Sequence, residues 1–171
     1  MNAKRIGLVM ASTLVVTILG VFVLPRDLKV YRAVLINDSP NVVYSHIVDL
    51  KHWNQWWVTV DSTDQVTISD DNLRRDWFDG GTFVVIDTKD NKRIDYEIQQ
   101  TDNNGAGNIS LTKVDSGTLV TWNHEQTARW LPHQRLYDWS ARASSALEIQ
   151  NGLDGLKTRI EHRATSQPDS P

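Results

Sequence analysis

The sequence predicts an α+β protein: a curved antiparallel sheet wrapped around a long C-terminal helix, preceded by one N-terminal transmembrane helix. Three observations predict it. Residues 6–24 are apolar and carry no charge, the middle of the chain holds short strand-like runs between tight turns, and residues 135–163 keep a helical apolar stripe. Antiparallel sheets with helices gathered on one side form α+β sandwiches. A chain of 171 residues holds one such domain and an appendage.

The apolar run from Ile6 to Leu24 contains only three polar residues, Ser12, Thr13 and Thr17. At helical rise it spans about 28 Å, close to the thickness of a bilayer core. A cleaved signal peptide would need small residues before its cleavage site, whereas this run ends in Phe22-Val23-Leu24. A core helix of a soluble domain would rarely be apolar on every face. We therefore interpret residues 1–25 as an uncleaved membrane anchor.

Charges on both sides of the run bear on its orientation. Lys4 and Arg5 precede it, and Arg26, Lys29 and Arg32 follow it. The short basic N-terminal tail favours a cytoplasmic N-terminus, although the basic residues beyond the run weaken that bias. We expect a single-pass protein of the inner (cell) membrane with a periplasmic domain over residues 26–163. The last residues, 164–171, contain no core-forming side chain and are expected to be disordered.

Composition excludes several functions. The net charge is −3, and because Lys4 and Arg5 lie before the apolar run, the rest of the chain is more acidic still. Nucleic acid is therefore not an expected partner. There is no cysteine, which excludes disulfides, thiolate nucleophiles and cysteine metal sites. The five histidines show no metal-ligand spacing, so neither a metal nor a cofactor is predicted.

The domain predicted after Pro25 begins with a strand over residues 28–37, whose alternation places Arg32 on the same face as Val30 and Ile36. A helix with Ser39 as its capping residue and Pro40 in its first turn follows, and a short helical segment covers residues 51–57. Turn residues then separate strands predicted at 65–69, 73–79, 82–88, 92–100, 107–114 and 118–126.

The predicted C-terminal helix carries two glycines, Gly152 and Gly155. Each weakens a helix by about 1 kcal/mol relative to alanine, so we expect them to serve close packing on the sheet. A sheet that curls around one long helix encloses a space, which is either filled by side chains or kept as a pocket.

Several segments resemble START-like domains of the SRPBCC superfamily, the polyketide cyclase/dehydrase and lipid-transport type. They are VYRAVLINDSPNVVYSHIVDLKHWNQWW (30–57), GTLVTW (117–122) and NGLDGLK (151–157). The resemblance covers residues 28–162 and implies the helix-grip fold, in an envelope-anchored bacterial branch. Activities in the family include cyclases, lipid carriers and binders of hydrophobic molecules. The segment 58–90 departs from the family's glycine-rich pattern, which leaves the ligand class open.

Tryptophans dominate the candidate binding residues. An aromatic lining suits a hydrophobic ligand, while core packing and lipid contact are the structural alternatives. We favour core packing for Trp53, Trp122 and Trp139, and a pocket mouth or membrane contact for Trp130. The full set of candidate ligand-binding residues is Trp53, Trp57, Trp77, Tyr96, Trp122, His124, Trp130 and Trp139.

His124 is the one candidate for catalysis. The alternation of residues 118–126 places it on the same face as Val120 and Trp122, where it could act as a general acid or base. A hydrogen-bonded wall histidine is the commoner outcome. No Ser-His-Asp elbow, phosphate loop or dinucleotide fingerprint occurs in the sequence.

Three functions remain open. The favoured one is a noncatalytic module, tethered to the lipid bilayer, that holds a lipid or another hydrophobic small molecule between sheet and helix. The second is a cyclase- or dehydratase-like enzyme with His124 or a pocket carboxylate as its base. The third is a domain with a filled core that contacts an undefined envelope protein through its sheet or through loop 126–135.

Overall fold

A computed structural model describes residues 3–57, 67–76, 81–100 and 104–165. The helices are α1 (Ala3–Val21), α2 (Pro40–Val48), a 3₁₀ helix (Leu50–Gln55) and α3 (Pro132–Thr165). The strands are β1 (Asp27–Ile36), β2 (Thr67–Ile68), β3 (Arg74–Asp76), β4 (Thr82–Lys89), β5 (Arg93–Gln99), β6 (Gly105–Val114) and β7 (Gly117–Thr127).

Across the described ranges, these seven strands form one antiparallel sheet in the order β1-β7-β6-β5-β4-β3-β2. The predicted fold class is therefore confirmed. Strand β6 begins at Gly105, two residues before the predicted start, and α3 begins at Pro132 rather than at residue 135. Parts of the strands predicted at 65–69 and 73–79, and residues 166–171 of the predicted tail, lie outside the described residues.

The register of the sheet decides which side chains face α3. Val30 on β1 pairs with His124 on β7, His124 pairs with Gly107 on β6, and Gly107 pairs with Tyr96 on β5. These residues lie side by side on the inner face, because paired residues of adjacent strands point to the same side of a sheet. The neighbouring pair on the same two strands, Lys29 and Glu125, points to solvent.

The helix after β1 starts where the sequence predicts. Pro40 opens α2, since proline needs no hydrogen-bond partner in the first turn. Ser39 is the N-cap residue, as predicted, although its side chain makes no capping hydrogen bond. The next helix, the 3₁₀ helix, does have a side-chain cap: Asp49 accepts a hydrogen bond from the Lys51 amide at 3.0 Å.

The two glycines of α3 allow close packing, but on tryptophans that follow α2 rather than on the sheet. A Cβ added at Gly152 would lie 2.9 Å from Cδ1 of Trp57, and one added at Gly155 would overlap the carbonyl oxygen of Trp56. The helix therefore presses directly on the end of the 3₁₀ segment. Sheet, tryptophans and helix form three stacked layers at this point.

Helix α3 contributes side chains to the hydrophobic core from Ala146 onward. Leu153, Leu156 and Ile160 are buried, whereas Trp139 is 45% exposed and Leu147 is exposed as well. The interpretation of Trp139 as a core residue is therefore wrong. The helical stripe does run the whole length of α3, but its first half lies beside the edge strand β1, outside the aromatic interior.

Helix α1 is long and apolar enough to cross a membrane, and a signal sequence would have the same character. Most of its side chains face away from the domain. Its last residue, Val21, is buried against the folded part of the chain.

Candidate functional site

The space between sheet and α3 holds a cluster of aromatic rings. Ring centres of Trp53 and Phe83 lie 4.8 Å apart, and those of Trp57 and Trp122 lie 5.0 Å apart, both in edge-to-face arrangements. Trp53 and Trp122 are fully buried. Such contacts each add about 1 kcal/mol beyond the area buried, so the cluster is a structural core in the first place.

The buried indole N–H groups find partners within the protein. The Nε1 of Trp53 donates to the Ile47 carbonyl at 2.8 Å, and the Nε1 of Trp122 donates to the Tyr96 hydroxyl at 2.7 Å. A buried donor without an acceptor costs 1–3 kcal/mol by order of magnitude, which makes these bonds part of what orients the rings. The first bond is local in sequence, but the second joins β7 to β5 across β6.

Tyr96, Trp122 and His124 form a hydrogen-bonded cluster on the inner face. The Tyr96 hydroxyl lies 3.2 Å from Nδ1 of His124 and 3.3 Å from the Asn123 carbonyl oxygen. Gly107 makes this possible, because a Cβ there would lie 2.5 Å from that hydroxyl. A strand position without a side chain thus lets a tyrosine from β5 reach β7.

Burial sets the protonation of the cluster. It raises the pKa of the Tyr96 hydroxyl well above its ordinary value, since the charged form would be poorly solvated, although the hydrogen bond from Trp122 opposes this shift. Burial also lowers the pKa of His124, against a weaker opposing effect of Glu125. Near neutral pH the pair is therefore a phenol beside a neutral imidazole. Among the described residues, no carboxylate hydrogen-bonds to His124.

A cleft of about 440 Å³ lies between β1 and the first half of α3. Buried Val30 and Ala146 contribute apolar surface, and the half-exposed ring of Trp139 lies beside them. Two arginines, Arg32 and Arg142, complete this part of the lining. The cleft thus combines an apolar surface with cations.

The two arginines of this cleft are held by main-chain oxygens. Nη1 of Arg32 donates to the Tyr31 carbonyl at 2.8 Å, and Nε of Arg142 donates to the Lys29 carbonyl at 3.0 Å. Within the part of the chain that the structure describes, neither guanidinium has a carboxylate at ion-pair distance. Lys29 differs, because Glu125 lies 3.0 Å from its ammonium group.

A larger cleft, of about 630 Å³, opens at the end of the sheet near Asp27 and Thr127. Its lining mixes acids and bases, including Glu97 and the ion pair of Lys29 with Glu125. Three acidic residues, Asp27, Glu97 and Glu125, and one basic residue, Lys29, line it, so the cleft is net acidic and repels anions.

The structure separates the predicted binding residues into three groups. Trp53, Trp57, Tyr96, Trp122 and His124 come together in the interior, Trp139 lines the cleft between β1 and α3, and Trp130 lies in the loop before α3 beside the end of α1. Trp77 lies outside the described residues.

Three arginines that the structure places in or near these sites, Arg32, Arg142 and Arg75, were not among the residues predicted from the sequence. Arg32 gave a visible signal, since it shares a strand face with apolar residues, but Arg142 looked like an ordinary helix surface residue. Arg75 was also missed: it is almost fully buried on β3, its Nη2 donates to Oδ1 of Asn54 at 2.6 Å, and burial lowers its pKa to about 10. It keeps its charge at neutral pH.

An antiparallel sheet that closes over one long C-terminal helix, with aromatic side chains between them, defines the helix-grip class of ligand-binding folds. A family model described as "Polyketide cyclase / dehydrase and lipid transport" matches residues 27–161. The chain belongs to this family. Membership points to binding of a hydrophobic small molecule, or to cyclase-type activity on one.

Solved structures share the fold at low sequence identity. A protein from Chromobacterium violaceum is 18% identical with a TM-score of 0.56, over 85% of this chain and 100% of that one. A Rhodobacter sphaeroides protein is 15% identical with a TM-score of 0.58, over 78% and 93%. The di-domain ARO/CYC StfQ from the steffimycin biosynthetic pathway is 13% identical with a TM-score of 0.56, over 81% and 52%. No curated protein matches the sequence.

Proposed function

We propose that this protein is a membrane-tethered binding module for an anionic amphiphile, held in the cleft between β1 and α3. In this proposal α1 remains as an uncleaved single-pass anchor in the inner membrane, with the domain on the periplasmic side. One observation carries the ligand class: Arg32 and Arg142 lie without carboxylate partners, among the described residues, in an otherwise largely apolar cleft.

The apolar part of the cleft suits a hydrocarbon chain. Val30 and Ala146 are buried, so they form its base, and Trp139 keeps 45% of its surface exposed beside them. Covering apolar surface stabilises a complex by about 25 cal/mol per Å². An alkyl chain laid along this stripe of α3 would cover the indole ring and the small side chain of Ala143.

The cationic part suits an acidic headgroup. A guanidinium binds carboxylate or phosphate through paired N–H donors. Arg32 and Arg142 each use one nitrogen on a main-chain oxygen, which leaves other donors of the fork for a ligand. Lys29 is engaged by Glu125, so we assign the headgroup contact to the two arginines.

The location differs from the interior pocket expected from the sequence. Rings of Trp53, Trp57 and Trp122 contact one another between sheet and α3, and their arrangement favours a packed interior over a ligand chamber there. The cleft at the edge of the sheet is the alternative that the described residues support. An anchor next to it would raise the local concentration of membrane-derived ligands.

The enzymatic alternative has one observation in its favour, the Tyr96–His124 pair. A neutral imidazole beside a phenol is a competent proton-transfer couple. The couple is, however, engaged within the protein: the hydroxyl accepts from Trp122 and lies within hydrogen-bond distance of His124 and Asn123. We therefore favour binding without catalysis.

Native mass spectrometry of the full chain, released from nanodiscs after incubation with oleate or with phosphatidic acid, tests the proposal. Wild type should carry an added mass of one of the two, which also distinguishes a fatty acid from a phospholipid. The double variant Arg32→Met/Arg142→Met should lose most of it, because each charge-assisted hydrogen bond contributes about 1.5–3 kcal/mol.

Lys113→Met is the matched control, since it removes an exposed cation from β6 far from the cleft. It should retain the added mass. A wild-type protein that stays bare with both lipids would refute the proposal. So would a double variant that binds as much as wild type, because the lipid would then surround α1 rather than occupy the cleft.

A further inference from the structure

The segment that joins α1 to β1 is built into the domain. A guanidinium N–H of Arg135 donates to the Leu24 carbonyl, and the Ala128 amide donates to the Arg26 carbonyl at 2.7 Å. Arg135 is buried, and its guanidinium lies 5.9 Å from the centre of the Phe22 ring. These contacts fix the end of α1 against the start of α3, so the domain does not hang from a free linker.

A second set of contacts fixes the loop before α3. The buried carboxylate of Asp138 accepts hydrogen bonds from the Arg129 amide at 2.8 Å and from the Arg129 guanidinium at 2.8 Å. The next residue in the chain, Trp130, is directed outward and is 63% exposed. Leu131 is 48% exposed beside it. The loop therefore displays two large apolar side chains from a well-braced backbone.

The exposed tryptophan lies at the level where the apolar run ends. Its ring centre is 5.7 Å from that of Phe22, and the Arg26 guanidinium lies 5.5 Å from the Trp130 ring centre. Phe22 is among the last apolar residues before Pro25 and Arg26. In a membrane-spanning α1 these residues lie where hydrocarbon gives way to headgroups.

We propose that Trp130 and Leu131, with Phe22 and Arg26, form a docking surface for the lipid bilayer, on the leaflet from which α1 emerges. The inference rests on the proposed anchoring by α1. Tryptophan is favoured at membrane interfaces, and an arginine at that depth meets lipid phosphates. A bilayer is the expected partner of this surface, because the Trp130 ring contacts the ring of Phe22 at the end of the proposed anchor.

The absence of cysteine makes a direct depth measurement possible, since any introduced cysteine is unique. Three single variants of the full chain, Val15→Cys, Leu131→Cys and Ser116→Cys, are labelled with bimane and placed in nanodiscs containing brominated phosphatidylcholine. Ser116 is the matched control, because its exposed β6–β7 turn lies at the opposite end of β7 from the loop. Bromine quenches only fluorophores that enter the lipid.

We expect loss of most bimane emission at positions 15 and 131, and little loss at position 116. Quenching at 15 together with an unquenched label at 131 would overturn the docking surface while leaving the anchor intact. An unquenched label at 15 would instead reject the proposed anchoring. A second pair of variants tests whether quenching at 131 depends on the neighbouring tryptophan. Trp130→Ser, introduced with Leu131→Cys, should reduce quenching at 131, whereas Tyr31→Ser on the outer face of β1 should not.

Discussion

Gly155→Ala tests the way α3 packs, because the structure predicts a loss of stability where helix propensity predicts a gain. Replacing a glycine inside a helix by alanine ordinarily stabilises it by about 1 kcal/mol. Here the added Cβ would overlap the carbonyl oxygen of Trp56, at a distance well below the 3.0 Å that real Cβ contacts essentially never go under. It would also lie 3.1 Å from the carbonyl carbon of that residue. The obstacle is backbone, so rotation of a side chain cannot relieve it.

The two effects can be weighed against each other. Overpacking costs up to about 3 kcal/mol when the backbone must shift, and the propensity gain offsets about 1 kcal/mol of it. Because the overlapping atom belongs to the main chain, we take the upper end of that cost and expect a net loss of about 2 kcal/mol in the free energy of unfolding. For a domain of this size, that loss lowers Tm by about 4–8 °C.

Urea unfolding of the full chain in detergent micelles, followed by tryptophan fluorescence, measures this loss. Asn151→Ala is the control, since residue 151 is an exposed position of the same helix and gains propensity without a clash. A Gly155→Ala protein as stable as Asn151→Ala, or more stable than wild type, would show that α3 does not press on Trp56 and would refute the packing described above.

The remaining predictions concern the buried polar groups. Tyr96→Phe removes the acceptor of the Trp122 indole N–H and should cost about 1–3 kcal/mol in urea unfolding; an unchanged midpoint would mean that the indole finds another acceptor. Burial lowers the pKa of His124. Burial and nearby arginines lower the pKa of His46. Both imidazoles therefore bind protons at a higher pH in the unfolded chain than in the folded protein. Stability should therefore drop as the pH falls below about 6.5. His124→Gln should make that drop shallower, and an unaltered pH dependence would exclude His124 as a contributor.

Local patterns in the sequence were sufficient for the fold class. Alternation predicted β1 and β5, tight turns predicted the meander, and the apolar stripe predicted α3, because each of these signals lies within a single element. The partners of Gly155 were not predictable in the same way. Gly155 contacts Trp56, which lies about a hundred residues earlier in the chain, and the periodicity of α3 does not indicate that contact.

The candidate site was predictable only in part, for a related reason. Residues such as Trp122 and His124 were placed on one face correctly, since strand alternation fixes that. The bond between Tyr96 and His124 depends on the register of three strands and on Gly107 between them. Trp139 looked like a core residue because its stripe continues into the true core, and the sequence does not mark where the sheet stops covering the helix.

The pairing of the first strand with the last one has a consequence for biogenesis. Asp27 lies opposite Thr127, so β1 is synthesised well before its partner strand β7. Until then β1 has no partner for its main-chain N–H and C=O groups, and closing so long a loop is slow. A nascent chain therefore keeps β1 unpaired until the rest of the sheet has been synthesised, which makes β1 the strand that is exposed to wrong pairing for the longest time.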